Sequence, residues 1–225
     1  MDIGKAIRKI LTVSGWLLLA AVVARPAPVE KPAQKPPKTI FDYSLVGFDS
    51  KEVSLSAFKG KVLLIVNLAS QSIFQDQIAS LDELQKTYKD KGLVVIGVPS
   101  NDFGAQEPGT EADIQKKYTT ELHLSFPVFA RTSVRGKDQT ALYSFLTSDN
   151  KGPTGGEVHW SYTKFVVDRT GKVVARFEPH VAPNSPELRV TLEDVLAGTF
   201  KPPSKKDDGD DKNKDASERR EGAAR

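Results

Sequence analysis

The segment Val62–Leu68 (VLLIVNL) constrains this chain more than any other, because a near-continuous apolar run of strand length must be covered on both faces. It follows Lys59-Gly60-Lys61 and is followed at 75–91 by Ile78, Leu81, Leu84 and Tyr88 at helical spacing. Gly92 ends that helix, and 93–98 (LVVIGV) is a second buried run. Strand, helix and strand in this order predict a parallel βαβ unit with a right-handed crossover.

Downstream, 99–108 reads as a loop, 111–118 as a short helix, 126–129 as a short strand and 140–146 as a helix. The β-rich runs 164–168 and 172–177 flank Arg169-Thr170-Gly171 and predict a hairpin. Ser185-Pro186 has the pattern of a helix start, with a hydroxyl cap and proline in the first turn. Leu188, Leu192, Val195 and Leu196 then share a face, and Gly198 closes the helix. A parallel βαβ unit followed by a hairpin and a terminal helix gives an α/β fold: a thioredoxin-like domain with a central mixed sheet flanked by helices.

This domain occupies 39–200. Before it, Lys5, Arg8 and Lys9 precede a 15-residue apolar run at 10–24, and Val22-x-Ala24 offers small residues for cleavage. Residues 1–24 are read as a signal peptide, or as a membrane anchor if uncleaved, so the expected location is extracytoplasmic, periplasmic or secreted. Residues 25–38 hold five prolines and form a stiff linker. Residues 201–225 are charged with nothing to bury and are expected to be disordered. The net charge of +3 comes from the front of the chain: 1–38 carry seven Lys or Arg against two Asp or Glu, whereas 39–200 carry seventeen against twenty. A slightly acidic folded domain does not suit nucleic acid, which calls for a basic face. No internal repeat is present.

There is no cysteine anywhere in the 225 residues, which excludes disulfides, thiolate metal sites and cysteine nucleophiles. The three histidines, His123, His159 and His180, lack ligand spacing, so no metal and no cofactor is expected.

Several motifs, taken together and in order, resemble the glutathione peroxidase family across nearly all of 45–197. Gly60 to Ser70 (GKVLLIVNLAS) is similar to its first core strand and the turn after it. Residues 101–108 (NDFGAQEP) resemble its NQFG-x-QEP loop, and 159–165 (HWSYTKF) resemble its WNF-x-KF motif. Asp168 to Gly171 and Arg176-Phe177 fit the hairpin that follows. The resemblance implies reduction of hydroperoxides by thiols. In the family, a cysteine or selenocysteine at the start of the helix attacks the peroxide bond as the thiolate and becomes a sulfenic acid. A glutamine, a tryptophan and an asparagine surround the sulfur.

Matched residue by residue, the nucleophile falls on Ser72, the glutamine on Gln106, the tryptophan on Trp160 and the asparagine on Ser161. A cysteine that many relatives carry before the loop asparagine falls on Ser100. A hydroxyl has no accessible anion near neutral pH and no oxidised state equivalent to a sulfenic acid. The resemblance therefore implies a scaffold without thiol turnover, acting as a binding or interaction module. An active oxidoreductase using non-thiol chemistry is the alternative. Trp160 is apolar enough to be retained for packing, and Gln106 could serve loop backbone groups. The sharper reading is a kept polar pocket for a small molecule or a protein ligand. Ser72 as a hydrolytic nucleophile would need a base, and His159, adjacent to Trp160 on a strand, would face the other way. Membrane contact is expected only through 10–24. The loop at 148–156 is shorter than the insertion of oligomeric relatives, which implies a monomer.

Overall fold

The computed structural model describes residues 39–148 and 154–202. The expected signal segment, the proline-rich linker and the tail beyond Pro202 lie outside the described residues, as does part of the 148–156 loop. No helix among the described residues is long and apolar enough to cross a membrane.

The βαβ unit forms as read. Strand β3 (Val62–Leu68), helix α1 (Gln77–Tyr88) and strand β4 (Leu93–Pro99) follow a short antiparallel pair, β1 (Ser44–Val46) and β2 (Glu52–Ser54). A 3-10 turn, Lys89–Lys91, links α1 to Gly92, whose left-handed φ of 98° ends the helix. β3 pairs with β4 in parallel and with β5 (Lys164–Val167) antiparallel; β5 pairs with β6 (Val173–Phe177), giving the order β4-β3-β5-β6. Two short helices, α2 (Glu111–Gln115) and α3 (Ala141–Leu146), precede the hairpin, and α4 (Pro186–Ala197) follows it.

The two faces of β3 account for its composition. Leu63 and Ile65 pack with α3 (Leu142, Tyr143, Leu146) and with Ile40 and Phe41. Val62, Leu64, Val66 and Leu68 face the opposite way, onto Leu81, Leu84 and Tyr88 of α1 and Leu188, Leu192 and Val195 of α4. Alternate side chains thus meet two separate cores. All seven positions are buried, which is why the run carries almost no polar residue. At roughly 1.5–3 kcal/mol per buried aliphatic side chain, this strand drives assembly of both layers.

The caps are also as read: Ser185 Oγ accepts from the Leu188 N–H, and Gly198 closes α4 at φ 74°. In the hairpin, Asp168 Oδ1 accepts from the Thr170 N–H and the Lys172 N–H. Two elements differ. The strand expected at 126–129 is a single parallel bridge, Gly97 to Val128. The chain presses on β4 there so closely that a Cβ on Gly97 would lie 3.1 Å from Val128 Cγ2 and 3.2 Å from Phe126 Cε2, as well as 2.7 Å from Leu68 Cδ1 on β3. The helix expected to end at 118 runs on as a π-helical segment, Lys116–Glu121, in which the Leu122 N–H bonds the Lys117 carbonyl at 2.9 Å.

Candidate functional site

At the end of β3 the chain enters a series of tight turns before α1. Ser72 sits in them, 1% exposed. Its N–H donates to the Ala69 carbonyl, its own carbonyl accepts from the Gln75 N–H, and its Oγ accepts from the Phe74 N–H at 3.2 Å. α1 begins only at Gln77, so Ser72 lies in the turn leading to the helix rather than at its start. The donor that would face a nucleophile here is the Phe74 amide, not the helix terminus.

Residues 160–162 form a turn just before β5, not a strand. Tyr162 takes a left-handed φ of 65°. Buried Asn67 on β3 holds this turn: its carbonyl accepts from the Tyr162 N–H at 2.6 Å, and its Nδ2 donates to the Trp160 carbonyl at 3.1 Å. The result brings together two residues 89 positions apart: Ser161 Oγ donates to Ser72 Oγ at 2.7 Å. Ser161 is fully buried, so the two serines that the family resemblance matches to the nucleophile and the asparagine satisfy each other. His159 is exposed in the preceding loop, and among the described residues no side-chain base hydrogen bonds Ser72.

Gln106 reaches the site from the loop after β4. Gly104 and Ala105 both take positive φ, at 60° and 53°. The Gln106 carbonyl accepts from the Gln71 N–H at 2.9 Å, stitching the loop to the turn that holds Ser72. Its Oε1 is buried without a hydrogen-bond partner among the described residues. Trp160 is not a core residue: it is 37% exposed, its ring tilted against Phe103 at 5.9 Å. Ser100 is buried at the end of β4, and its Oγ accepts from the Asp102 N–H rather than meeting Ser72.

Sequence reasoning misses Glu107, although it lies within the loop motif. It is 1% exposed, and its Oε2 accepts from the Ser70 N–H at 2.8 Å and from the Tyr118 hydroxyl at 2.5 Å. Burial raises the pKa of its carboxyl; the hydrogen bonds from Tyr118 and Ser70 and the charge of Lys117 act against that rise. Asn67 is missed too. The only available signal is a polar residue inside an otherwise apolar strand.

Lys164 is a third buried group, on β5. Its Nζ donates to the Val181 carbonyl at 2.7 Å and to the Pro179 carbonyl at 3.4 Å, and burial lowers its pKa to about 7, with Glu178 acting against the shift. An unfolded lysine titrates near 10.4. Between these values the unfolded chain binds more protons, so stability rises with pH through that window and is flat below it. We expect wild-type stability in urea to climb by roughly 2 kcal/mol between about pH 7 and about pH 9 relative to Lys164→Met. Parallel profiles for the two proteins would contradict this.

The site therefore offers a buried hydroxyl pair, an exposed indole and an unpartnered amide oxygen. The family model described as glutathione peroxidase matches residues 40–147. The chain is 40% identical over 152 residues to a probable phospholipid hydroperoxide glutathione peroxidase of Solanum lycopersicum, covering 67% of this chain and 90% of the relative. It is 41% identical to the glutathione peroxidase homolog BsaA of Bacillus subtilis over 150 residues, 66% of this chain and 94% of that one. Among solved structures, T. cruzi GPX1 superposes with a TM-score of 0.57 at 27% identity, covering 73% of this chain and all of that one.

Proposed function

The chain belongs to the glutathione peroxidase family, whose activity is hydroperoxide reduction, and from that premise we propose that this member is a binding or interaction module without thiol peroxidase turnover. One observation carries the reading: at the nucleophile position a buried Ser72 hydroxyl is engaged by Ser161 at 2.7 Å, in a chain with no cysteine. Thiol peroxidation needs a sulfur that accepts the terminal peroxide oxygen and is later reduced by two thiols. A serine oxygen has no such cycle. Binding is supported by what remains. Gln106 Oε1 is buried and lacks a donor among the described residues, so a ligand N–H or O–H would satisfy it, and the exposed Trp160 ring, tilted against Phe103, offers an apolar face. The apolar segment at 10–24 supports an exported, extracytoplasmic setting.

The test is hydroperoxide consumption by the purified protein, with glutathione and separately with thioredoxin as reductant. The expected result is no consumption above the protein-free rate with either. Catalytic consumption would overturn the proposal and favour a non-thiol oxidoreductase.

A further inference from the structure

Five large apolar side chains are exposed among the described residues, and three of them, Ile73, Leu122 and Trp160, gather at the end of the sheet where β3 runs out. Single exposed apolar residues are ordinary, but a cluster of them marks a surface that something covers. Ile73 is the most exposed of the five, at 77%. It does not sit on a loose segment. It follows Ser72 in the tight turns before α1, where the Ser72 carbonyl accepts from the Gln75 N–H at 3.0 Å and Ser72 Oγ accepts from the Phe74 N–H. The turn holds the isoleucine out into solvent.

Beside this projection is a hole. A cavity of about 320 Å³ opens between the start of α1 and the π-helical segment Lys116–Glu121. Ser70 and Gln75, which bracket Ile73 in the chain, both line it, and Ile78, Ala79 and Leu122 give it apolar walls. Its volume equals that of roughly ten waters in the liquid, so a branched aliphatic side chain fits. Asp76 lines it from the α1 side and Lys117 from the π-helical side. Neither forms a salt bridge among the described residues, and the Asp76 side chain does not cap α1.

A projection next to a hole, with unlike charges on the two sides of the hole, is self-complementary. A two-fold axis normal to such a face sets the projection of each copy over the hole of the other. The same axis brings Asp76 of one copy to Lys117 of the other. We propose that two copies of this chain pair in this way, each placing Ile73 in the cavity of the other. The monomer expected from the short loop at 148–156 rests on one contact of oligomeric relatives, and this face is a different one. Few residues are covered, so the pair is weak and reversible. The pairing is independent of whether the chain turns over peroxide.

The test is sedimentation equilibrium of the full chain from about 10 μM to about 1 mM, where small interfaces dissociate. The average mass should rise with concentration from the 24.6 kDa of one chain toward twice that value. Ile73→Asp changes an exposed side chain, so the fold is kept. It removes both insertions and should weaken pairing about a hundredfold or more. Lys117→Glu sets like charges against each other and should weaken it about tenfold. Adding Asp76→Lys to that variant reverses both charges and should restore the affinity to within about threefold. A single-chain mass at every concentration overturns the proposal and leaves Ile73 for a different partner. Association that Ile73→Asp does not weaken, including association through the apolar run at 10–24, overturns it too. Failure of the double charge reversal to restore pairing rules out the two-fold arrangement.

Discussion

Ser72→Cys is expected to consume hydroperoxide with glutathione, at roughly 10³-fold or more above the serine protein, since deleting a nucleophile costs enzymes factors of this order. The surrounding atoms are in place for it. The Phe74 N–H already points at the side-chain atom at 3.2 Å, and the Ser161 hydroxyl donates to it from the other side. Both would favour a thiolate over a thiol. The thiolate sulfur would take the terminal peroxide oxygen, releasing the alcohol. A first glutathione would form the mixed disulfide with loss of water, and a second would restore the thiol. The larger sulfur needs a small displacement of Ser161, whose oxygen now lies 2.7 Å away. A companion measurement isolates that contact. The pH dependence of alkylation of the introduced thiol, the only one in the Ser72→Cys protein, should give a pKa below about 8.5. Adding Ser161→Ala should raise it by about one unit, the value of one hydrogen bond to a charged group. A silent Ser72→Cys that folds normally would mean that the scaffold no longer presents this position to peroxide, and that more than the sulfur has been lost.

Glu107→Ala should be among the most destabilising single changes in the domain, by roughly 3–5 kcal/mol in urea unfolding with an unchanged slope. The residue joins three parts of the fold: the turn after β3 through the Ser70 N–H, the π-helical segment through the Tyr118 hydroxyl, and Asn101, whose Oδ1 accepts from the Glu107 N–H at 2.8 Å. Truncation leaves two buried donors without acceptors and opens a cavity beneath the site. Glu107→Gln keeps the shape and one acceptor oxygen, so it should cost about 1 kcal/mol. Equal costs for Ala and Gln would show that charge, not hydrogen-bond acceptance, holds these segments together; a cost for Ala below about 1 kcal/mol would remove the network as a structural element.

The strands and long helices are legible because burial imposes a period. Alternate residues of Val62–Leu68 meet different cores, so the run is apolar at every position but Asn67. Helix ends are legible because Ser185, Pro186, Gly92 and Gly198 satisfy local backbone requirements within a few residues. The β1–β2 pair is not legible: three-residue strands with exposed, polar positions leave no pattern. The expectation of a strand at 126–129 goes too far because an apolar run shows burial without showing pairing. Arg169 reads in sequence as turn composition only. Its guanidinium in fact donates to the carbonyls of Gly60, Lys91 and Leu196, tying the hairpin to three element ends that no local spacing connects.

For the candidate site, sequence supplies the four positions that the family resemblance points to, Ser72, Gln106, Trp160 and Ser161, and the absence of any cysteine in the chain. Those are statements about identity and order, which a chain carries in one dimension. Tertiary structure decides that the two serines bond each other, that Trp160 is partly exposed with its ring against Phe103, and that Glu107 holds the turn after β3. Each of these depends on where β3, the loop after β4 and the turn before β5 meet at one end of the sheet. A hydrogen bond is set by distances of a few tenths of an ångström between atoms that the chain separates by 89 residues, and only the assembled fold fixes such distances.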